Sequence, residues 1–550
     1  MQPRTDLLIT GGPIWTGRSE QPWVEALAVR DGNVAAAGPL SQVREVSAPR
    51  AETLDLRGRA VLPAFHDAHC HPVGGGLQQR SCDLEGARSP GECQERVRAY
   101  LAAHPDVDWV IGKGWSMELF ARGTPGRHLL DQVTGERPAY LANRDGHSAW
   151  VNSAALRLAG IEASTPDPPH GRIERVDGGE PQGTLHEGAM ELVQRLAPRT
   201  SDAERVAALR QAQSHLHSLG IVGWQDAMVD PASEAAYSAL ARSGELSARV
   251  RLALWWEREK GLEQVEEMVD RRRLLAESGL DAGSVKIMLD GVMETFTAAL
   301  LEPYLPLPGG PPTGQLGHLF LDPELVGAAT SALHRHDFQV HFHAIGDRAV
   351  RVALDAVARA SREGGRDLRH HIAHIQLVHP SDLHRFHELR VVANMQPFWA
   401  CHEPQMDELT IPFLGAERSS HQYPFRALAD SGAVLAGGSD WPVSTADPLE
   451  EIAVAATRRA PPDRDQVMSS PPAFLPEQGL PVAMALSAFT TGSAYVNHLE
   501  HVTGTLAAGK AADLVVLAQD PFTIPPERLP EARVEITMVD GRVVFHRDGA

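Results

Sequence analysis

A chain of 550 residues is too long for a single ordinary domain, and its 43% hydrophobic content provides for one large packed core with smaller units attached. A formal net charge of −20 disfavours nucleic acid and anionic membrane as partners, because both reward clustered basic side chains. No run approaches the roughly 18 apolar residues of a membrane span. The N-terminal "MQPRTDLLITGG" lacks the blocks of a secretory signal, and Cys70, Cys82, Cys93 and Cys401 form no CxxC pair. These features predict a cytoplasmic protein with free thiols.

In chain order, residues 1–62 read as short strands, "LLITGGPIW", "EALAVRDGNVAAAG" and "ETLDLRGRAVL", with Asp31-Gly32 favouring a tight hairpin. Residues 503–550 read the same way, with Asp540-Gly541 at the turn, so the two ends are expected to join in one small β domain. Between them, residues 63–502 alternate strand and helix. The strand candidates are "AVLPAFHDAHCH", "GIVGWQDA", "ARVRLALWW", "SVKIMLDG", "QVHFHAIGD", "HHIAHIQL", "RVVANMQP" and "AVLAGGSD". Eight such units predict an α/β (β/α)8 TIM barrel, whose chemistry sits at the C-terminal ends of its strands. The stretch at about 77–218 exceeds any simple crossover and predicts an inserted subdomain, with "RIERVDGGEPQGTL" as an exposed hairpin. Pro- and Gly-rich segments 303–315 and 459–481 predict long loops over the mouth, the first a candidate lid.

The opening "FHDAHCHP" carries the first functional signal. Residues two apart on a strand face one way, so His69 and His71 can meet one ion, whereas His66 has the opposite parity. "QVHFHAIGD" adds His341 and His343, the latter nearer the rim; "HHIAHIQL" adds His370 and His374 on one face and His371 on the other, with His374 at the rim; "GGSDWP" adds Asp440. Four histidines and one aspartate at four strand ends predict a metal site, suited to Zn²⁺ and also able to take Mn²⁺, Fe²⁺, Co²⁺ or Ni²⁺.

These segments, together with "RDGHSAWVNSAALRLAGI" and the closing "GTLAAGKAADLVVL", resemble the amidohydrolase superfamily over nearly the whole chain. The resemblance is to its "amidohydrolase 3" branch, which includes N-substituted formamide deformylases. It implies that the two chain ends build a β-sandwich and that the metal set is His69, His71, Lys286, His343, His374 and Asp440. It further implies two ions bridged by a CO2-derived carbamate on Lys286; a lysine paired with an acid such as Asp290 is the plainer alternative. The sequence departs from the family pattern at Ala64 in "PAF", at His66 and at Ala373.

The expected reaction is hydrolysis of a carbon-nitrogen bond in a small amide, formamide, carbamate or urea. Asp440 would move the proton from water to the leaving nitrogen. His147 is a candidate substrate-binding residue, and Trp115, Trp399 and Trp441 are candidate aromatic walls. Asn152 reads as a helix cap. His334, His336, His384 and His387 read as solvated helix residues, and "VGGGLQQR" as a loop after the first strand. A deaminase, an ester or lactone hydrolase and a non-catalytic binding protein are the competing readings. A homodimer is an admissible assembly.

Overall fold

All eight apolar segments form strands, since their β-branched and aromatic residues suit a sheet covered on both faces. The computed structural model describes residues 6–307, 313–461 and 472–547. The strands are β1 (Phe65–Cys70), β2 (Ile221–Val229), β3 (Arg249–Trp255), β4 (Asp281–Met288), β5 (Gln339–Ala344), β6 (His371–His374), β7 (Val392–Met395) and β8 (Leu435–Gly437). Each pairs in parallel with its neighbours in sequence, with Met288 opposite His343 and Ala344 opposite His374. The end of β8 then returns to β1. Asp440 N–H donates to the His69 carbonyl and His71 N–H to the Trp441 carbonyl, each at 2.7 Å. Asp67 clamps the same seam, accepting from Ser439 N–H at 3.1 Å and from Ser439 Oγ at 2.5 Å. The result is a (β/α)8 barrel with its strand C-termini on one rim. Its helices bury single apolar stripes, as Asp347–Arg362 does with Val350, Ala353, Leu354 and Val357.

Strands from both chain ends form two further sheets. One orders Asn33–Gly38, Ala26–Arg30, Leu7–Thr10 and Glu52–Asp55; the other orders Arg542–His546, Val534–Val539, Leu514–Leu517, Ala60–Pro63, Ile14–Trp15 and Trp23–Val24. Asp31 and Gly32 both take positive φ (51° and 84°), as do Asp540 and Gly541 (49° and 68°). Each pair therefore makes a two-residue hairpin loop whose twist matches its strands. Arg249 of β3 ties the barrel to this unit through Asp513 (2.6 and 3.0 Å) and Asp540 (2.7 Å).

Between β1 and β2 lies a six-stranded sheet ordered Gly171–Arg175, Pro181–Glu187, Ser148–Val151, Ala139–Asn143, Val110–Trp115 and Cys82–Asp83. Its first two strands are the antiparallel hairpin of "RIERVDGGEPQGTL". The glycine-rich stretch after β1 is not a loop: Pro72–Gln78 is a helix. Its glycines serve close packing, because a Cβ on Gly75 would lie 2.4 Å from the Trp441 ring and one on Gly76 2.0 Å from the Ala208 carbonyl. The centre of the candidate lid, 308–312, and residues 462–471 of the second loop lie outside the described residues.

Candidate metal centre

Strand parity places His69 inside the barrel mouth at 1% exposure, while His66 turns away to Thr503 (3.3 Å). His71 follows β1 directly. Asp440 Oδ1 lies 3.2 Å from His69 Nε2 and 2.9 Å from His71 Nε2, and its Oδ2 lies 4.0 Å from His374 Nδ1. One donor atom from each of His69, His374 and Asp440 falls within 4.8 Å of the other two, a grouping that one cation can draw together. His343 packs against His374 with ring centroids 4.4 Å apart, but its Nδ1 faces Asp290 Oδ1 at 3.4 Å. Lys286 Nζ is 3.5 Å from both His69 Nε2 and His341 Nε2. Asp290 accepts backbone N–H groups of Ala299, Ile345 and Gly346.

Simple parity fails at β6. His371, not His370, accompanies His374 inside the barrel, because His374 (φ 75°) and Ile375 (φ 42°) are left-handed and swing the His374 ring inward. His370 instead meets His334, Nε2 to Nδ1 at 3.0 Å, which buries His334 rather than leaving it solvated. Asp440 is left-handed too (φ 56°). Such residues cost about 1–3 kcal/mol each and persist only where surroundings hold them. Here Gln396 Oε1 accepts His374 N–H at 2.6 Å, and the His69 carbonyl holds Asp440.

Below the centre, a layer of side chains fixes the ring tautomers. The Gln225 carbonyl oxygen accepts from His341 Nδ1 (2.6 Å) and His371 Nε2 (3.0 Å). His341 Nε2 is then an acceptor, so His69 Nδ1–H donates to it at 2.8 Å. His69 Nε2 consequently presents its lone pair to the centre. Asn394 Nδ2 completes the layer by donating to His371 Nδ1 (3.0 Å) and to the Ala68 carbonyl (2.9 Å). The side-chain nitrogens His71 Nδ1, His343 Nδ1 and His374 Nδ1 are buried with no hydrogen-bond partner. The unsatisfied His374 Nδ1, 4.0 Å from the Asp440 carboxylate, and the His69 Nε2 lone pair, 3.2 Å from it, make a donor set that a divalent cation takes, so the residues present fit a metal.

The electrostatics agree. Burial, then Lys286, drives His69 down to about 3, and burial leads the same shift in His343 and His374, so these rings are neutral imidazoles at pH 7. Burial opposes charge on Asp440, but His69 and His71 outweigh it and hold the carboxyl well below its ordinary range. Burial lowers Lys286 to about 7. His147 comes from the inserted sheet. Burial opposes its charge, yet the Glu187 carboxylate 3.0 Å away raises it to about 9. Its ring lies 5.9 Å from that of His343.

Of the tryptophans, Trp399 reaches the site, stacked on His374 at 5.9 Å and 24°. Trp115 does not: it is fully buried in the inserted unit's core against Phe120 and Trp150, its Nε1 donating to the Leu141 carbonyl. Trp441 packs against Gly75 and His215 and contributes its backbone carbonyl instead. Sequence reasoning missed Gln225, Asn394, Glu187 and Lys113. Gln225 and Asn394 were detectable as polar residues inside otherwise apolar strands. Lys113 brings its amine from the inserted sheet into the field of Asp440, Asp145 and Glu85, which offset its burial only in part.

A barrel with this His–Asp cluster on its C-terminal rim is the architecture of a metal-dependent hydrolase. The chain belongs to the amidohydrolase family, whose profile matches residues 52–545. A putative amidohydrolase of Bacillus subtilis, YtcJ, is 30% identical over 98% of this chain and 99% of its own. The N-substituted formamide deformylase of Arthrobacter pascens is 26% identical over 100% of both chains. A crystal structure of an uncharacterized metal-dependent hydrolase from Pyrococcus horikoshii superposes with a TM-score of 0.73 at 25% identity, over 95% of this chain and 99% of that one.

Proposed function

We propose that this hydrolase cleaves a carbon-nitrogen bond of a small amide-type molecule, an amide, N-substituted formamide, carbamate or urea. The observation that carries the reading is the His69, His374 and Asp440 cluster with its unpartnered nitrogens. The full-length similarity to a formamide deformylase supports the bond class. His69, His71, His343, His374 and Asp440 would hold Zn²⁺ or a similar ion, which supplies Lewis acidity and acidifies water. The Lys286 amine, with burial pulling it toward neutrality, would be the residue to take up CO2 with loss of a proton, and the carbamate would supply carboxylate-type ligation for a second ion.

The chain's own groups divide the remaining work. Asp440, ionised and 2.9 Å from His71, accepts the proton of the attacking water and returns it to the leaving nitrogen. His147, held cationic by Glu187, donates a hydrogen bond to the carbonyl oxygen as negative charge develops there. Asp347 is turned to Leu301 N–H at 2.9 Å, so the carboxylate that follows His343 in sequence is engaged elsewhere, which disfavours a deaminase.

The test is metal content by plasma mass spectrometry, with formate and amine release from N-substituted formamides, on protein purified with zinc and bicarbonate. Two ions in the wild type, at most one in Lys286→Ala, and formamide or amide turnover are expected. One ion in both removes the bridge. Turnover of esters alone overturns the bond class.

A further inference from the structure

Beside the centre, the barrel mouth holds a cleft walled by Arg144, Asp145, Glu294, Glu403, Trp399 and Tyr423. Trp399 joins it to the centre through its stack on His374. Among the described residues lining the cleft, Arg144 is the single cationic side chain, and it is already engaged. It donates to Gln405 Oε1 at 2.9 Å and lies 3.5 Å from Glu403 Oε1. Glu403, Glu118, Asp145 and Glu294 all act on this one guanidinium. Lys113 is shared between Asp145, Asp440 and Glu85, and the cationic His147 between Glu187, Asp145 and Asp440, so Glu294 and Glu403 are left facing Arg144.

Buried negative charge without an opposite partner is costly unless a ligand neutralises it. Its effect shows at Glu294, where burial and the neighbouring Asp145 and Glu403 push the carboxyl up to about 7. Tyr423, 2% exposed, lines the cleft. Trp399 lines it too, aromatic rings attract cations, and the chain's net charge of −20 favours cations over anions.

We infer that this cleft binds a cationic group of the substrate, of ammonium or guanidinium type, against Glu294, Glu403 and the two aromatic walls. The inference rests on the hydrolase reading for what carries that group: an amide-type molecule with a positively charged substituent.

Calorimetric titration of the zinc-loaded full chain with (5-hydroxypentyl)trimethylammonium, its neutral isostere 6,6-dimethylheptan-1-ol and the anion 6-hydroxyhexanoate tests this without turnover, since the quaternary nitrogen has no lone pair for a metal and cation and isostere share the same hydroxyl. The cation is expected to bind at least about tenfold tighter than the isostere. Glu294→Gln and Glu403→Gln, shown folded by their thermal melts, should each remove about tenfold of the cation's advantage. Equal binding of cation and isostere by the wild type, or an advantage untouched in both variants, overturns the inference. Formamide cleavage without cation preference would leave the hydrolase reading standing, and cation binding without cleavage would remove that reading alone.

Discussion

Asp440 and His69 are joined twice. The Asp440 N–H donates to the His69 carbonyl at 2.7 Å, and the Asp440 carboxylate lies 3.2 Å from His69 Nε2. The first link closes the barrel between the end of β8 and β1; the second assembles the metal centre. Closing the fold and building the site are therefore the same event, which is why the site residues can come from strands more than 350 residues apart in sequence.

The two links are separable by mutation. Asp440→Asn keeps the main-chain bond and the side-chain volume but removes the proton acceptor. Turnover should fall about 10³-fold, within the range for loss of a general base, while far-ultraviolet circular dichroism stays unchanged. Retention of more than a tenth of wild-type kcat would remove Asp440 from the proton transfer.

The eight barrel strands were legible as short apolar runs between helical segments, and the His69, His71, His374 and Asp440 positions because histidine and aspartate recur at or just beyond strand ends. Parity alone misread β6, since a left-handed residue at His374 leaves no trace in composition. The helix at Pro72–Gln78 was hidden for a related reason: glycine there serves close approach to Trp441 and Ala208, and sequence shows only its low helix propensity. Trp115 looked functional because it borders a family motif, yet its indole is spent on the inserted unit's core. The Gln225 layer depends on which strands become neighbours across the barrel, a property no single segment carries.

That layer makes its own prediction. Gln225→Met has similar volume but leaves His341 Nδ1 and His371 Nε2 without their acceptor. Stability should drop by about 1–3 kcal/mol for the unsatisfied buried groups. Zinc affinity should fall about 10- to 100-fold as the His69 tautomer is released. Competition with a chromophoric chelator reads the second effect; unchanged affinity would show that the layer only packs.

Gly76→Ala tests the tight seat of the helix after His71. The added methyl would lie 2.0 Å from the Ala208 carbonyl, a backbone atom that a neighbouring rotamer change cannot clear. A loss of about 1–3 kcal/mol is expected, read as a lower urea midpoint with an unchanged slope. A variant as stable as the wild type would mean the Asp202–Ser218 helix can slide away at no cost.

The His147 and Glu187 pair sets a pH dependence. His147 titrates at about 9 in the folded protein against an ordinary 6.5, because the Glu187 carboxylate outweighs burial. The raised value means that the pair's contribution to stability is complete below about 6.5 and is lost as pH rises through about 9. The same loss of the imidazolium removes its hydrogen bond to the substrate oxygen, so kcat/KM should decline above pH 9. In Glu187→Gln the raising charge is gone while the burial that lowers the pKa remains. The alkaline limb should therefore move toward neutrality by at least about one unit, a difference of about 1.4 kcal/mol between the two protonation states. Parallel pH profiles of kcat/KM and of the melting temperature check both consequences, and superimposable alkaline limbs in wild type and Glu187→Gln would exclude His147 as the titrating donor.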